Sequence, residues 1–124
     1  MNNPRAAYMT QSVTTASPAR LLVMLFDRLL LDIDRAAECQ EAGDHAVAGT
    51  HLLHAQEIVL ELRSTLRLDV WEGAETLSSL YGWLHTQLVR ANTARDRAVT
   101  GECRAIVEPL AEAWREAALT PAAG

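Results

Sequence analysis

The chain has 124 residues and a formal net charge of −5, and 49% of its residues are apolar whereas only 5% are aromatic. A domain of this size buries about two thirds of the surface that its unfolded chain exposes, so we expect it to fold alone around an aliphatic core. All 11 basic residues are Arg and are scattered singly, so no run neutralises successive phosphates and no nucleic-acid partner is expected.

The first ten residues, MNNPRAAYMT, lack the basic and apolar regions of a signal peptide. Cys39 and Cys103 are therefore expected to be reduced thiols of a cytosolic protein. Asp27 and Arg28 interrupt the longest apolar run, which stays below the roughly 20 residues that span a bilayer. Membrane insertion is not expected, and the protein is predicted to be cytosolic.

Residues 1–16 are mostly polar, with Tyr8 and Val13 among their few large apolar side chains. We expect them to form an N-terminal arm. Ser17 and Pro18 follow, a pair that favours the N-cap and the first position of a helix. The first helix is therefore expected to begin there.

Gly and Asp residues divide the rest of the chain into helices. Gly43 suits the left-handed position after a helix, and Asp44 suits the N-cap of the next one. Asp96 suits the N-cap of a last helix in the same way. The expected helices cover residues 17–42, 44–67, 72–94 and 96–118, and residues 119–124 are expected to be a disordered tail.

Four helices of about 20 residues joined by short connections must run antiparallel to their sequence neighbours. Apolar residues recur on each helix at spacings of three and four. The predicted core residues are Leu22, Leu25, Leu29, Ile33, Ala36, Ala48, Leu52, Ala55, Val59, Leu62, Leu66, Leu77, Leu80, Tyr81, Leu84, Leu88, Ala91, Val99, Cys103, Ile106, Val107, Leu110, Trp114 and Ala117. The predicted fold class is all-α, an antiparallel up-down-up-down four-helix bundle with an N-terminal arm.

Pro109 conflicts with this pattern, because it falls inside the last helix. Proline removes the backbone hydrogen bond to the carbonyl of Ala105 and costs on the order of 3 kcal/mol in a helix interior. A bend or break is expected near Ala105.

Some apolar side chains lie away from the core positions. Met24 and Leu31 fall on the polar side of the first helix. Singly, such residues are ordinary exposed side chains, whereas together they would form grooves for a segment of another chain. The arm is a candidate to cover part of such a groove when no partner is present. The residues predicted to line the partner surface are Tyr8, Val13, Met24, Leu31, Leu53, Gln56, Leu60 and Trp83.

Residues that could carry chemistry form no recognisable catalytic set. His51 and His54 are spaced to share one side of the second helix, but di-metal bundles need a Glu three residues before each His, and no His here has one. They are interpreted as solvated side chains at a helix edge. Asp32, at the core boundary, and Asp34 lie on different sides of the first helix, and the two cysteines lack C-x-x-C spacing. No cofactor and no metal are predicted.

The stretch AYMTQSVTTASPARLLVMLFDRLLLDI (residues 7–33) resembles the N-terminal signature of the FliS family of flagellar export chaperones. In that signature a Tyr, a Val and Thr-Ala-Ser-Pro precede a Leu-rich first helix. The segments HAQEIVLELRSTL, LSSLYGWLHTQLVRAN and LAEAWREA extend the resemblance from about Ala7 to Ala117. Two residues depart from the family pattern: Phe26 stands where the family often has Tyr, and Pro109 falls in a helix usually free of Pro.

The resemblance implies a cytosolic four-helix bundle that binds newly made flagellin and is not an enzyme. In the family, the disordered C-terminal segment of flagellin wraps around the bundle and becomes partly helical, which prevents premature polymerisation and assists delivery to the type III export apparatus. The family's arm docks on its own bundle and is displaced by flagellin. Two alternatives remain from the residues alone: a helical module that forms a homodimer through its surplus apolar face, and a small enzyme that uses the histidines around a metal.

Overall fold

The computed structural model describes residues 18–69 and 72–119, which form four helices: α1 (Pro18–Glu41), α2 (His45–Ser64), α3 (Gly73–Thr93) and α4 (Arg97–Leu119). α1 packs against α2 and α4, and α3 completes the bundle against the same two helices. The described residues contain no strand, and the predicted all-α, up-down-up-down bundle is confirmed. The arm predicted for residues 1–16, the Ser17 cap and residues 120–124 lie outside the described residues.

The turn between α1 and α2 follows the chemistry expected from its sequence. Gly43 has a φ of 77°, in the left-handed region. The backbone N–H of Asp44 donates to the carbonyl of Cys39 at 2.8 Å, which is the long bond of a Schellman motif. The carboxylate of Asp44 then accepts from the backbone N–H of Val47 at 3.2 Å, so one residue ends the first helix and caps the second.

The turn between α3 and α4 repeats this arrangement without a glycine. Arg95 occupies the left-handed position with a φ of 52°, and the N–H of Asp96 donates to the carbonyl of Ala91 at 3.0 Å. The carboxylate of Asp96 accepts from the N–H of Ala98 at 2.9 Å. The predicted Asp96 cap is confirmed, while the left-handed Arg95 was not anticipated because non-glycine residues rarely take this conformation.

A buried polar contact joins the two turns. The side-chain N–H of Gln40 donates to the carbonyl of Ala91 at 3.2 Å, and its amide oxygen accepts from the hydroxyl of Thr100 at 2.8 Å. Both side chains are buried. Because an unsatisfied buried polar group costs about 1–3 kcal/mol, this contact favours one packing of α1 against α3 and α4.

Aliphatic side chains fill the core around a single pair of rings. The centroids of Phe26 and Tyr81 lie 6.4 Å apart, and both residues are buried. Phe26 was missed as a core residue, although it follows Leu22 by four positions and precedes Leu29 by three. Among the predicted core residues Ala117 is exposed, one turn beyond the partly buried Trp114 that packs against the core.

Helix α4 is continuous across Pro109, so no break occurs near Ala105. Both residues are exposed. The proline ring therefore projects into solvent, and water is available to the carbonyl of Ala105 that loses its helical partner. This exposure explains why the helix tolerates the residue.

Helix α2 ends at Ser64, short of the predicted Arg67. The hydroxyl of Ser64 donates to the carbonyl of Glu61, and the hydroxyl of Thr65 donates to the carbonyl of Leu62, each at 2.7 Å. Ser and Thr side chains that bond to nearby carbonyls compete with the helical backbone pattern. The α2–α3 connection is therefore longer than expected.

Replacing Gly43 by Ala is expected to lower the free energy of unfolding by about 1 kcal/mol, because a Cβ is disfavoured at positive φ. Gly101→Ala is the matched control. Gly101 lies in the second turn of α4, and its Cβ would meet nothing within 4 Å, so the change is expected to stabilise the chain by about 0.5–1 kcal/mol. Urea denaturation of both variants measures the two changes, and shifts in the same direction would contradict the account of the turn.

Candidate functional site

The outer face of α1 carries two exposed apolar side chains. Met24 and Leu31 lie seven positions apart. They alternate with Asp27 and Asp34, whose carboxylates pair with two arginines of α4. Residues spaced by three and four lie on the same side of a helix, so Met24 and Leu31 border the α1–α4 interface. The neighbouring carboxylates are already paired with arginines, which limits the hydration energy that is lost when another chain covers this face.

The outer face of α2 carries a second pair. Leu53 is 54% exposed and Leu60 is similarly exposed. They share one side of the helix with Gln56 and Arg63, and the Nε–H of Arg63 donates to the hydroxyl of Ser78 in α3 at 3.0 Å. Leu53 and Leu60 therefore border the α2–α3 interface.

Gln56 does not belong to this exposed surface. It is only 9% exposed, because it lies seven positions from both Gly49 and Arg63, and these two residues face α3. The prediction that Gln56 lines the partner surface is therefore corrected: its side chain lies inside the helix interface.

Trp83, on α3, is 41% exposed. It lies about 100° around the helix from Gly82 and about 100° from the buried Leu84. A Cβ on Gly82 would approach the guanidinium of Arg63 to 3.2 Å, so Gly82 faces α2. Trp83 is therefore turned away from the α2–α3 interface and is not adjacent to the apolar pair of α2.

The exposed apolar residues thus do not form one continuous groove. The pair on α1 and the pair on α2 border opposite interfaces of the bundle, and Trp83 occupies a third position. A partner that contacts all of them must pass around the outside of the bundle. Among the described residues, the sequence reasoning missed three further large apolar residues that are exposed, near helix ends or in a connection: Val47, Leu68 and Leu119. Tyr8 and Val13 lie outside the described residues.

A cavity of about 220 Å³ lies at the end of the bundle where α1 begins. It is lined by Leu22, Thr65, Leu66, Arg67, Ala74, Tyr81 and Trp114. Burial raises the pKa of Tyr81 to about 12, so its phenol is neutral near neutral pH. Most of the lining is apolar, and the volume suits apolar side chains better than a charged group.

The histidines of α2 are not the solvated pair that was predicted. Asp32 of α1 is fully buried. The Nδ1–H of His54 donates to Oδ2 of Asp32, and Nδ1 of His51 lies 4.0 Å from Oδ1. The spacing of the two histidines directs both rings toward the neighbouring helix, which could not be known before α1 was placed.

The family model "Flagellar protein FliS" matches residues 1–121. The chain belongs to the FliS family. It is 32% identical over 117 residues to the flagellar secretion chaperone FliS of Bacillus subtilis, a match that covers 94% of this chain and 87% of the relative. It is 29% identical over 115 residues to that of Escherichia coli, covering 89% and 82%. The resemblance noted in the sequence is confirmed.

A solved structure described as a flagellar chaperone from bacteria shares the fold. Its TM-score is 0.74 at 17% sequence identity, and the match covers 93% of this chain and 97% of the solved one. FliS proteins are chaperones and not enzymes, and this chain is a chaperone of that family.

One of the two cysteines is a buried thiol. Burial, with a smaller contribution from the charge of Glu102, raises the pKa of Cys103 to about 11, and a protonated thiol is a weak nucleophile. Within residues 18–69 and 72–119, no group of three or more His, Cys, Asp or Glu side chains is arranged to hold a metal ion. No helix in the described part of the chain is long and apolar enough to cross a bilayer.

In the native chain, iodoacetamide at mildly alkaline pH is expected to modify Cys39 and to leave Cys103 unmodified. Cys39 is partly exposed, whereas Cys103 is buried and its raised pKa keeps the thiol protonated. Peptide mass spectrometry over time measures both sites, and a urea-unfolded sample, in which both must react, is the control. Equal rates in the native chain would contradict the burial of Cys103.

Proposed function

We propose that this chain is a cytosolic flagellar secretion chaperone whose client is flagellin. It binds the disordered C-terminal segment of flagellin, prevents premature polymerisation and assists delivery to the type III export apparatus. The observation that carries the proposal is the set of exposed apolar side chains on separate outer faces of a bundle that belongs to the FliS family. The residues proposed to contact the client are Met24, Leu31, Leu53, Leu60 and Trp83.

The distribution of these side chains suits a client that folds as it binds. Such a segment buries on the order of 1,000–3,000 Å² and loses about 2–5 kcal/mol or more to ordering. A single cavity of about 220 Å³ cannot supply that area. Apolar positions on opposite sides of the bundle offer separate anchoring points to one long segment, each contributing roughly 1 kcal/mol because about half of each side chain is already buried.

The paired charges on α1 support the same role. Asp27 contacts Arg115 at 2.5 Å, and Asp34 contacts Arg104 at 2.6 Å. An unpaired carboxylate beside Met24 would lose hydration when a client covers it. The arginines of α4 reduce this loss, so a client segment can approach the apolar pair of α1.

We propose further that the N-terminal arm, residues 1–16, covers part of the apolar surface when no client is bound, with Tyr8 and Val13 as its anchors. Val13 stands five residues before Pro18, so an extended chain carries it at most roughly 17 Å from the start of α1. The apolar cavity that includes Leu22 and Trp114 lies within that reach. We propose that the client uses this end of the bundle as well, so its apparent affinity equals its intrinsic affinity multiplied by the uncovered fraction of the chaperone.

The first test is calorimetric titration of the chain with the C-terminal segment of flagellin from the same organism. Saturable binding with a negative heat-capacity change is expected, because apolar surface is buried. Leu31→Ser and Leu60→Ser are each expected to weaken binding about 5- to 10-fold. Leu119→Ser is the matched control, since Leu119 is 76% exposed at the end of α4 and lies outside the proposed surface.

Flagellin that lacks its C-terminal segment should not bind. Absence of binding by the segment itself, together with dissociation of the free chain on dilution, would favour the alternative of a homodimerisation module. Equal affinities for Leu60→Ser and Leu119→Ser would exclude the α2 surface as part of the site.

The arm is tested by its effect on affinity. Deletion of residues 1–16 is expected to tighten binding several-fold, because the client no longer competes with the arm. The double variant Tyr8→Ala, Val13→Ala should do the same, whereas Gln11→Ala should not. Hydrogen exchange provides a second measurement, and an arm that exchanges equally with and without client would contradict the proposal.

A further inference from the structure

A carboxylate is fully buried between α1 and α2. Asp32 has no exposed surface, although charged groups lose much of their hydration energy when they are buried and need partners to compensate. Among the described residues, Oδ2 accepts a hydrogen bond from His54, and Oδ1 has no hydrogen-bond partner. The carboxylate therefore retains capacity for a further positive partner.

The groups around Asp32 come from two helices. On α1, the Nε of Arg28 lies 3.5 Å from Oδ1, and the arginine side chain is about half exposed. On α2, the rings of His54 and His51 approach Oδ2 and Oδ1 respectively, and each ring is charged only when it is protonated. Arginine keeps its charge at all relevant pH values, whereas the charge of an imidazole depends on its protonation.

The remaining packed helices add no charge to this cluster. α4 packs on the other flank of α1, and its Arg104 and Arg115 pair with aspartates there. α3 packs on α2, and within the described residues no charged group of α3 is paired with Asp32 or with either histidine. Arg35 and Glu57, one helical turn away from Asp32 and His54, are exposed.

We propose that Asp32, His51 and His54 form a proton-dependent contact between α1 and α2, which holds these helices together more strongly in mildly acidic than in mildly alkaline solution. When the imidazoles are protonated, they form ion pairs with the buried carboxylate. When they are neutral, one hydrogen bond remains, and among residues 18–69 and 72–119 the permanent positive charge paired with the carboxylate is that of Arg28.

The direction of the pH effect follows from proton binding. The folded chain places the imidazoles beside a buried negative charge, whereas the unfolded chain separates them. An ion pair between a protonated imidazole and the buried carboxylate stabilises only the folded chain, so the proposed contact adds more stability as the pH falls. Other titrating groups also change stability with pH, so the contact is measured as a difference between variants.

The test is thermal unfolding of the full chain at several pH values from about 8 to about 5.5. The variants are Asp32→Asn, the double variant His51→Gln, His54→Gln, and the matched control His85→Gln, which changes a histidine of α3 outside the cluster. At each pH, the melting temperature of the wild type is compared with that of each of the first two variants. This difference is expected to grow in favour of the wild type by about 4 °C or more between about pH 8 and about pH 5.5. His85→Gln should follow the wild type.

A variant that combines Asp32→Asn with both histidine changes completes a double-mutant cycle. The cycle measures the coupling free energy between Asp32 and the histidines, apart from the effect that each change has by itself. The coupling between the two sets of changes is expected to be larger at the acidic end of the series. Parallel curves for the wild type and the double histidine variant would overturn the proposal, and so would a coupling that does not vary with pH. If Asp32→Asn does not fold, the double histidine variant still decides, because its side chains are partly exposed.

Discussion

The carboxamide of Gln40 connects three of the four helices at the end of the bundle that holds both tight turns. It bonds to the last turn of α3 and to Thr100 in the first turn of α4, so the α1–α2 hairpin and the α3–α4 hairpin have one favoured relative position there. The turns themselves are short and capped by aspartates. This end is closed by backbone and side-chain hydrogen bonds, whereas the other end is held by apolar packing, by the hydrogen bond from Arg63 to Ser78 and by the longer α2–α3 connection.

The two ends of the bundle therefore differ in what they offer to a partner. The end near Gly43 is closed by polar contacts, whereas the opposite end contains the apolar cavity beside Tyr81 and Trp114. Between them, the core is complete without the exposed apolar residues of the outer faces. A bundle with a buried core that also presents apolar side chains on several faces suits a chaperone, because these side chains can contact a client while the core stays closed.

The candidate surface was only partly predictable. Met24 and Leu31 could be found because they fall opposite the core positions of one helix, and that reasoning needs no knowledge of the neighbouring helices. Gln56 and Trp83 could not be placed in the same way. Whether a residue at the edge of a helix is covered depends on which helix packs beside it, so the first proved buried and the second faces away from the apolar pair of α2.

The sequence by itself determined the helices, most of their boundaries and the aliphatic core, because these follow from local spacing and from the chemistry of Gly43, Asp44 and Asp96. It also carried the family resemblance. Only the tertiary structure decided which polar residues are buried and what they contact: Asp32 is buried against two histidines, and Gln40 is buried between two turns. The physical reason is that buried polar side chains need hydrogen-bond partners, and the partners of Asp32 and Gln40 come from helices far away in the sequence.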